Sequence, residues 1–426
     1  MLQDLGKRKT VGILTTFYEF SNSYSLCSVV ESQLQALIKY GYKTVLFVHD
    51  NFKDDDKVPE GVEIRKIVPR FLLVDYSAHQ EVSPDLDNQA EEAYQALKKH
   101  CEDIDIILNH DLIFQAWFLP YCMAIHKYAE ESDIKWFHWI HSNPSTAPRG
   151  LKFPHILRYK LPKNSKLVYL NNYYLVRVAE AYNAFPKDVR IVYNPLDPRI
   201  FLKLDPLVES LINKYDILSA DFLQVYPVST PRMNSGKQLH IIIDIMSKLK
   251  KMGKKVAVVV CNAHANDKRE KQLIGETINQ ASLLGITRNE LIFTSLEDEP
   301  KYEHGVDRNI VSQLFQLSNL FIFPSLSENC SLILLEAMLS KCLLVLNDNV
   351  PPMREFAKEN ALYFKFGSNE DIITYQDRDK WMEDIAKIII AEMNTNRALK
   401  ASSDIKKHYS FDYIFKNSIE PLFSEI

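Results

Sequence analysis

The sequence predicts an α/β protein made of two doubly wound, Rossmann-like domains that face each other across a cleft. Three observations support this class. Short apolar runs of strand length alternate with amphipathic stretches long enough for helices, as in βαβ units. This alternation occurs in two separate series, divided by a stretch rich in proline. At about 150 residues per domain, a chain of 426 residues has room for two or three such units.

The strands of the two series can be assigned from the apolar runs. In the first series we predict Thr10–Thr15, Thr44–Val48, Ile104–Leu108, Lys135–Ile140 and Lys166–Leu170, with helical segments such as Val29–Tyr40 and Gln89–Cys101 between them. In the second series we predict Gln224–Pro227, Lys255–Cys261, Glu290–Thr294, Leu320–Phe323 and Leu343–Leu346.

Domain boundaries follow from the break between the series. We expect an N-terminal domain over residues 1–197 and a linker over 198–222, because Pro195, Pro198 and Pro206 interrupt regular structure. A second domain is predicted over 223–400, and a C-terminal helix over 401–426 that packs back on the first domain. Ligands of such sheets bind at the carboxyl ends of the strands.

Charge and cysteine content exclude several classes of protein. The 51 basic and 55 acidic residues give a net charge of −4, so the chain as a whole is not an electrostatic match for nucleic acid. The six cysteines are scattered without a C-x-x-C pair, which favours reduced thiols and a cytoplasmic protein.

No membrane or export segment is expected. Lys7, Arg8 and Lys9 resemble the start of a signal peptide, but the apolar run Val11–Leu14 is too short for one and suits a first strand. Nowhere do 18 apolar residues run together, so no transmembrane segment is predicted.

Phosphate binding, if present, cannot use a glycine-rich loop. Among only 11 glycines, neither G-x-G-x-x-G nor G-x-x-x-x-G-K-[ST] occurs, which argues against a nicotinamide dehydrogenase and a Walker-type NTPase. A helix N-terminus and basic side chains would have to hold a phosphate instead.

The most informative segment is F-I-F-P-S-L-S-E-N-C-S-L-I-L-L-E, residues 321–336. An apolar strand ends at Pro324, a polar turn follows, and Leu332–Met338 begins a helix whose free N–H groups suit an anionic diphosphate. Glu336 lies among leucines, where a carboxylate needs hydrogen bonds such as those of a sugar diol. The alternative is that Glu336 faces solvent and Glu328 caps the helix.

A second polar loop follows the strand Gln224–Pro227. In S-T-P-R-M-N-S-G-K, Arg232 and Lys237 stand five residues apart at the start of the next helix. Two cations there would neutralise a leaving diphosphate. The alternative is a solvated loop.

These two motifs resemble the retaining glycosyltransferases of the GT-B fold whose signature is two glutamates separated by seven residues, a family 4-like group. Glu328 and Glu336 have that spacing, Arg232 and Lys237 match the family's phosphate-contacting pair, and V-Y-N-P-L-D at 192–197 matches the segment before the interdomain linker. The chain departs from the family in three places. T-T-F-Y-E-F-S-N-S at 15–23 lacks the usual glycine pair, Asn329 replaces a glycine, and Ser229–Thr230–Pro231 replaces the glycine before the arginine.

The resemblance implies transfer of a sugar from a nucleoside diphosphate sugar, expected to be a UDP-sugar, with retention of the anomeric configuration and without metal or cofactor. Glu328 would position the sugar and Glu336 would hold the ribose diol. The diphosphate would be held by the two cations and by the turn residues Asn329, Cys330, Ser331 and Leu332.

A histidine in the first domain completes the implied site. The strand ending at Ile140 is followed by H-S-N-P, and His141 matches the family histidine beside the donor sugar, against the alternative of a packed core side chain. His138, inside the strand, could as easily be a packed core histidine as a site residue. With no third ligand, H-x-x-H does not predict zinc. The triplet Asn109–His110–Asp111 ends another strand facing the presumed cleft. The D-x-D pairs Asp85–Asp87 and Asp103–Asp105 are interpreted as surface residues, not as a metal site.

The segment 149–163 predicts an anionic acceptor. It contains five basic and no acidic side chains, with two aromatic residues between them, in the domain that usually binds the acceptor in this fold. The implied partners are DNA, another phosphate-bearing polymer, a lipid-linked glycan or an acidic membrane surface. The alternative is a solvated basic loop. The cations are Arg149, Lys152, Arg158, Lys160 and Lys163.

Two other functions fit the same sequence features. A GT-B-fold sugar-nucleotide epimerase would bind the same donor and need acid and base groups, but no acceptor. A non-catalytic nucleotide-sugar-binding protein would bind the donor without turnover.

Overall fold

The computed structural model describes residues 9–21, 24–53, 57–71, 74–76, 81–142, 145–297, 301–371, 373 and 376–424. Its contacts divide the chain into two units, one of residues 1–196 with 409–426 and one of residues 197–408. Lys7, Arg8, Asn22, Ser23, Asn143 and Pro144, which belong to segments named above, lie outside the described residues.

Unit 1 is built on a seven-stranded parallel sheet in the order β3-β2-β1-β4-β5-β6-β7. This order reverses between β1 and β4, as in a doubly wound domain. The strands are β1 (Thr10–Leu14), β2 (Lys43–His49), β3 (Glu63–Val68), β4 (Ile106–His110), β5 (Lys135–Ile140), β6 (Ser165–Tyr169) and β7 (Val189–Ile191), and the helices that follow them are α1 (Ser25–Lys39), α2 (Leu86–His100), α3 (Leu119–Glu131) and α4 (Leu175–Ala181).

Helices cover both faces of this sheet, which explains why its strands are apolar runs and not alternating ones. On one face Phe47 and Trp136 pack with residues of α2 and α3. On the other face Val11 and Phe137 pack with α1. Gly12 is required in β1, because a Cβ there would lie 2.6 Å from the Phe47 ring.

Unit 2 contains two three-stranded parallel sheets, in the orders β10-β9-β8 and β11-β12-β13. The strands are β8 (Phe222–Ser229), β9 (Val256–Ala263), β10 (Leu291–Phe293), β11 (Leu320–Phe323), β12 (Leu343–Asn347) and β13 (Leu362–Phe364). The helices are α5 (Pro198–Leu202), α6 (Pro206–Tyr215), α7 (Leu239–Lys251), α8 (Lys268–Leu283), α9 (Arg308–Leu317), α10 (Leu332–Leu339), α11 (Pro351–Ala357), α12 (Arg378–Thr395) and α13 (Arg397–His408).

A buried amide joins the two sheets of unit 2. The side chain of Gln224 donates to the Ile322 carbonyl at 2.9 Å and accepts from the Ile322 N–H at 3.0 Å. It therefore takes the place of a backbone ladder between β8 and β11 and gives the strand sequence β10-β9-β8-β11-β12-β13. The predicted α/β class with two Rossmann-like units is confirmed.

The expected linker at 198–222 is wrong. Its prolines begin helices, since Pro198 and Pro206 occupy the first positions of α5 and α6, where a missing N–H costs nothing. The side chains of Val208 and Leu211 are fully buried in the core of unit 2. This segment is therefore part of the second unit.

The chain returns to unit 1 after His408. Helix α14 (Phe411–Ile414), a π-helical turn at Phe415–Ile419 and helix α15 (Glu420–Leu422) bury their apolar residues against α1. The Phe415 ring stacks on Tyr40 at 4.6 Å, and Lys39 pairs with Asp412 at 2.7 Å. The predicted C-terminal element 401–426 is therefore divided, because residues 401–408, which belong to helix α13, stay with unit 2.

The structure bears on the expectations about membrane-spanning helices and about the cysteine thiols. In the described part of the chain, no helix combines the length and the apolar character needed to cross a bilayer. Five of the six free cysteines are buried, and Cys330 alone among them is exposed.

Candidate active site

The loop between β8 and α7 carries the first predicted pair of cations. Thr230–Arg232 forms one turn of 3₁₀ helix, held by Asn262, whose amide donates to the Thr230 hydroxyl at 3.1 Å. The Arg232 side chain is exposed and passes 3.9 Å from the position of a Cβ on Gly236. The Arg232 guanidinium therefore lies alongside Gly236 of the same loop.

The loop between β11 and α10 is fastened to this first loop. The Leu326 N–H donates to the Gly236 carbonyl at 3.0 Å, and the Gln238 amide donates to the carbonyl of Pro324 at 2.6 Å. Asn347, at the end of β12, donates to the Ser325 carbonyl at 3.0 Å. Buried amides thus hold the two polar loops together at the carboxyl edge of the strands.

An ion pair bridges the two loops. The ammonium of Lys237 contacts the Glu328 carboxylate, and their side chains are 14% and 12% exposed. The same ammonium lies 5.2 Å from the centre of the Phe323 ring, and the Tyr226 hydroxyl donates to the Lys237 carbonyl. The structure therefore brings together the lysine and the first glutamate that the resemblance placed in one site.

The second glutamate has a partner that the sequence did not predict. Oε1 of Glu336 accepts from Nε and Nη2 of Arg308 at 3.1 and 2.7 Å, and Arg308 is the first residue of α9. The expected apolar surroundings of Glu336 are wrong, because Leu332 and Leu335 are exposed and 25% of the Glu336 side-chain surface is accessible to solvent. No sequence pattern links an arginine to a glutamate 28 positions later.

Helix α10 begins without a side-chain cap. Ser331 is its N-cap residue, but the Ser331 hydroxyl makes no capping hydrogen bond. Asn329, Cys330 and Leu332 are exposed around this end of the helix. Its first N–H groups and the positive end of its dipole are therefore open to an anion. Glu328 does not cap the helix, since its carboxylate is paired with Lys237.

In unit 1, polar side chains gather where β4 and β5 end. His141 Nε2 lies 2.9 Å from His110 Nδ1, and the His141 N–H donates to the Asp111 carboxylate at 2.9 Å. Asp111 has a φ of +62°, a left-handed conformation that turns its side chain back to the strand end. Burial lowers the pKa of His141 to about 4 and raises that of Asp111 to about 6.

His138 is a packed core residue, one of the two alternatives that the sequence left open. Its ring is fully buried, with Nδ1 2.9 Å from the Asn109 amide and Nε2 3.1 Å from the Ser165 hydroxyl. Burial lowers its pKa to about 3, so the ring is neutral at physiological pH.

Comparison with known proteins identifies the second unit. Residues 226–402 match the family model described as "Glycosyl transferases group 1". These residues form a glycosyl transferases group 1 domain. It contains both loops described above, with Arg232, Lys237, Glu328 and Glu336.

A curated relative of this glycosyl transferases group 1 domain is the Caenorhabditis elegans protein "GDP-Man:Man(3)GlcNAc(2)-PP-Dol alpha-1,2-mannosyltransferase". It is 26% identical over 173 residues, which are 41% of this chain. The match spans about a third, 34%, of the relative's length.

Solved structures resemble the whole chain only weakly. A glycosyltransferase from Rickettsia africae has a TM-score of 0.36 at 15% identity, covering 98% of this chain and 99% of that chain. Anabaena HepE in complex with UDP-glucose has a TM-score of 0.35 at 14% identity, covering 98% and 100%. The strand orders of the two units, and not these likenesses, define the fold.

One predicted acceptor residue outside the glycosyl transferases group 1 domain is corrected. Arg158 is buried, and its guanidinium donates to the carbonyls of Phe114 at 2.8 Å and Tyr76 at 3.2 Å. It satisfies buried backbone groups and is not a surface cation. The other four basic side chains of the segment, Arg149, Lys152, Lys160 and Lys163, are exposed.

The acidic pairs of unit 1 have other partners. Asp103 pairs with Arg65 at 2.7 Å, which holds the pKa of its carboxyl well below the usual range, and Asp105 accepts from the Thr10 N–H at 2.7 Å. Asp85 precedes α2. Within the described ranges, no three His, Cys, Asp or Glu side chains gather as a metal site would require.

Proposed function

We propose that this protein is a retaining glycosyltransferase that transfers a sugar from a nucleoside diphosphate sugar, bound by unit 2, to an acceptor. The observation that carries the proposal is the Lys237–Glu328 ion pair between the two loops, beside the uncapped start of α10. The family match over 226–402 supports the same reaction class.

The donor diphosphate would bind between the two loops. Lys237 and Arg232 supply positive charge, and the first N–H groups of α10 supply hydrogen bonds. A diphosphate competes with Glu328 for the Lys237 ammonium. When Lys237 turns to the phosphate, the carboxylate of Glu328 becomes free to accept hydrogen bonds from sugar hydroxyls. The same cations stabilise the negative charge that grows on the leaving phosphate in the transition state.

The ribose diol would bind Glu336. Arg308 occupies Oε1 of this carboxylate from one side, and Oε2 is left to accept the two hydroxyl hydrogens. An arginine held on the far side of a carboxylate fixes its orientation, so less conformational entropy is lost when the ribose binds.

The chemical step needs no base from the protein. In the retaining reaction that the resemblance implies, the departing phosphate oxygen takes the acceptor's proton on the face of the sugar that it leaves. His141 would contact the donor sugar, and the four exposed cations of the segment 149–163 would attract an anionic acceptor. Cationic side chains and helix N–H groups take the role of a metal, so transfer is expected to be metal-independent.

The donor screen decides which nucleotide base the protein binds. The sequence led us to expect a UDP-sugar, whereas the curated relative's name contains GDP-Man. Both donors belong in the same screen.

The experiment incubates the full chain with UDP, GDP, ADP and TDP sugars, with and without candidate acceptors, and follows the anomeric proton by NMR. A retaining transferase gives transfer, or slow donor hydrolysis in which the released sugar first has the anomeric configuration of the donor. Release of the opposite anomer first would contradict retention. Formation of an epimer would indicate the epimerase, and binding without turnover would indicate a binding protein.

A further inference from the structure

A chain of hydrogen bonds runs from helix α1 to His141. The side-chain amide oxygen Oε1 of Gln33 lies 2.9 Å from His110 Nε2, and His110 Nδ1 lies 2.9 Å from His141 Nε2. Gln33 and His110 are 3% and 2% exposed. Both nitrogens of the His110 ring are thus occupied inside the protein, by one residue on each side.

The direction of these hydrogen bonds follows from their first member. The Gln33 oxygen carries no hydrogen, so His110 must donate to it from Nε2. Burial lowers the pKa of His110 well below its ordinary value, which keeps the ring neutral, and its Nδ1 is therefore an acceptor. His141 must then donate from Nε2, and a neutral His141 ring has no proton on Nδ1.

The position of the His141 ring is also fixed. It stacks on His110 with 5.2 Å between ring centres and 23° between planes. Its backbone N–H is held by Asp111. Within the part of the chain that the structure describes, His141 Nδ1 makes no hydrogen bond, and the side chain is only partly buried.

We propose that Gln33 and His110 are positioning residues that hold His141 as the Nε2–H tautomer, so that its Nδ1 accepts a hydrogen bond from a substrate hydroxyl. This inference rests on the proposed function, since it defines how His141 contacts a sugar. Toward the substrate, His141 would then act as a neutral hydrogen-bond acceptor through Nδ1, while its Nε2–H donates to His110. A hydroxyl that is replaced by fluorine, which cannot donate, would lose this contact.

The tautomer can be measured without any substrate. Nitrogen NMR of the full chain labelled with ¹⁵N-histidine distinguishes a protonated from an unprotonated ring nitrogen, and the His141 signals are those lost in His141→Ala. At neutral pH we expect Nε2 protonated and Nδ1 unprotonated. A His141 with its proton on Nδ1, or on both nitrogens, overturns the proposal whatever the enzyme's activity.

The role of Gln33 is tested with a matched pair of variants on α1. Gln33→Met removes the acceptor oxygen at similar size, whereas Gln35→Met makes the same change at a partly buried position bonded to Glu31. We expect Gln33→Met to give a mixture of His141 tautomers and to lower kcat/KM by up to about 100-fold, the cost of a misplaced substrate-contacting group. Gln35→Met should change neither.

The outcomes separate this inference from the proposed function. One outcome is that no nucleotide sugar is turned over, while His141 is the Nε2–H tautomer in wild type and a mixture in Gln33→Met. In that case the positioning role of Gln33 and His110 stands and the transferase proposal fails. If transfer occurs and Gln33→Met keeps full activity and a single His141 tautomer, the proposed positioning role of Gln33 and His110 is wrong. The wild-type spectrum decides the tautomer even if Gln33→Met does not fold.

Discussion

Lys237 and Glu328 lie 91 positions apart in the chain and form an ion pair between the loops that follow β8 and β11. The two loops shield both side chains from most of the solvent, leaving 14% of the Lys237 side chain and 12% of the Glu328 side chain exposed. The pair places one positive and one negative group at the carboxyl edge of the strands of unit 2, and under the proposed function each would change partner when the donor diphosphate binds.

Lys237→Ala should lower transfer at least about tenfold, because a charge-assisted contact to the diphosphate is lost. It should also lower the free energy of unfolding by roughly 1 to 3 kcal/mol, because Glu328 is left without its partner. Steady-state kinetics and denaturant unfolding measure the two effects. The control is Lys400→Ala, an exposed lysine of α13. Equal kinetics in the two variants would remove Lys237 from the donor site.

Glu336→Gln and Arg308→Ala should differ in their effects. We expect Glu336→Gln to lower turnover at least about tenfold, since an amide holds the ribose diol less well than a carboxylate. Arg308 is 74% exposed, so its loss should cost less than about 1 kcal/mol of stability. Its effect on donor KM should be smaller than that of Glu336→Gln. A larger loss in Arg308→Ala would show that the arginine itself binds the donor.

The basic segment 149–163 divides into two roles. Arg158→Ser should lower the melting temperature, because the carbonyls of Phe114 and Tyr76 lose their donor. Lys152→Ser with Lys160→Ser should keep the melting temperature and raise the acceptor KM, with a weaker dependence on salt. Acceptor kinetics that do not respond to salt in either protein would contradict an anionic acceptor.

Acid should destabilise unit 1 through His138. Its folded-state pKa of about 3 lies below the ordinary value of about 6.5, so the unfolded chain binds the proton first. The contribution of neutral His138 to the free energy of unfolding is complete above about pH 6.5. It is lost as the pH falls toward 3, at about 1.4 kcal/mol per pH unit. Asp111 titrates in the opposite sense, since its pKa is raised to about 6.

The measurement is urea unfolding of wild type and His138→Phe between pH 7.5 and 4.5. At pH 7.5 His138→Phe should be less stable than the wild type, because Asn109 and Ser165 lose a partner. The difference between the two free energies of unfolding should become smaller as the pH falls. A constant gap across this range would show that His138 does not remain neutral.

Transfer should continue in the presence of EDTA, because cationic side chains and helix N–H groups are proposed to stabilise the leaving phosphate. The assay compares initial rates before and after chelation, with Mn²⁺ added back. Complete loss of transfer that Mn²⁺ restores would contradict this part of the mechanism.

Apolar strands were predictable, and long-range polar contacts were not. Lys135–Ile140 and Leu320–Phe323 have the predicted bounds, because strands buried on both faces are continuous apolar runs. The polar edge strand Glu63–Val68 was missed, since half of its residues carry charge. Pro198 and Pro206 were interpreted as breaks, although proline also begins helices.

The site shows the same division. Lys237 and Glu328 were brought together only by the resemblance, since nothing in their local sequence indicates that they meet. Arg308 was not predictable at all. Gln33 did leave a signal, because it lies on the apolar face of α1 beside Val30, Leu34 and Leu37, where a buried amide needs a partner. His110 was noted only as part of a polar strand end.

The most direct test of the account is calorimetric titration of wild type, Lys237→Ala, Glu336→Gln and Lys400→Ala with UDP, GDP, ADP and TDP sugars. The account predicts that at least one nucleotide sugar binds wild type and Lys400→Ala at one site per chain. It predicts at least about tenfold weaker binding to the other two variants, a loss near 1.4 kcal/mol. If none of the four kinds of nucleotide sugar binds the wild type, or if all four proteins bind with equal affinity, a nucleotide-sugar site at these loops is contradicted.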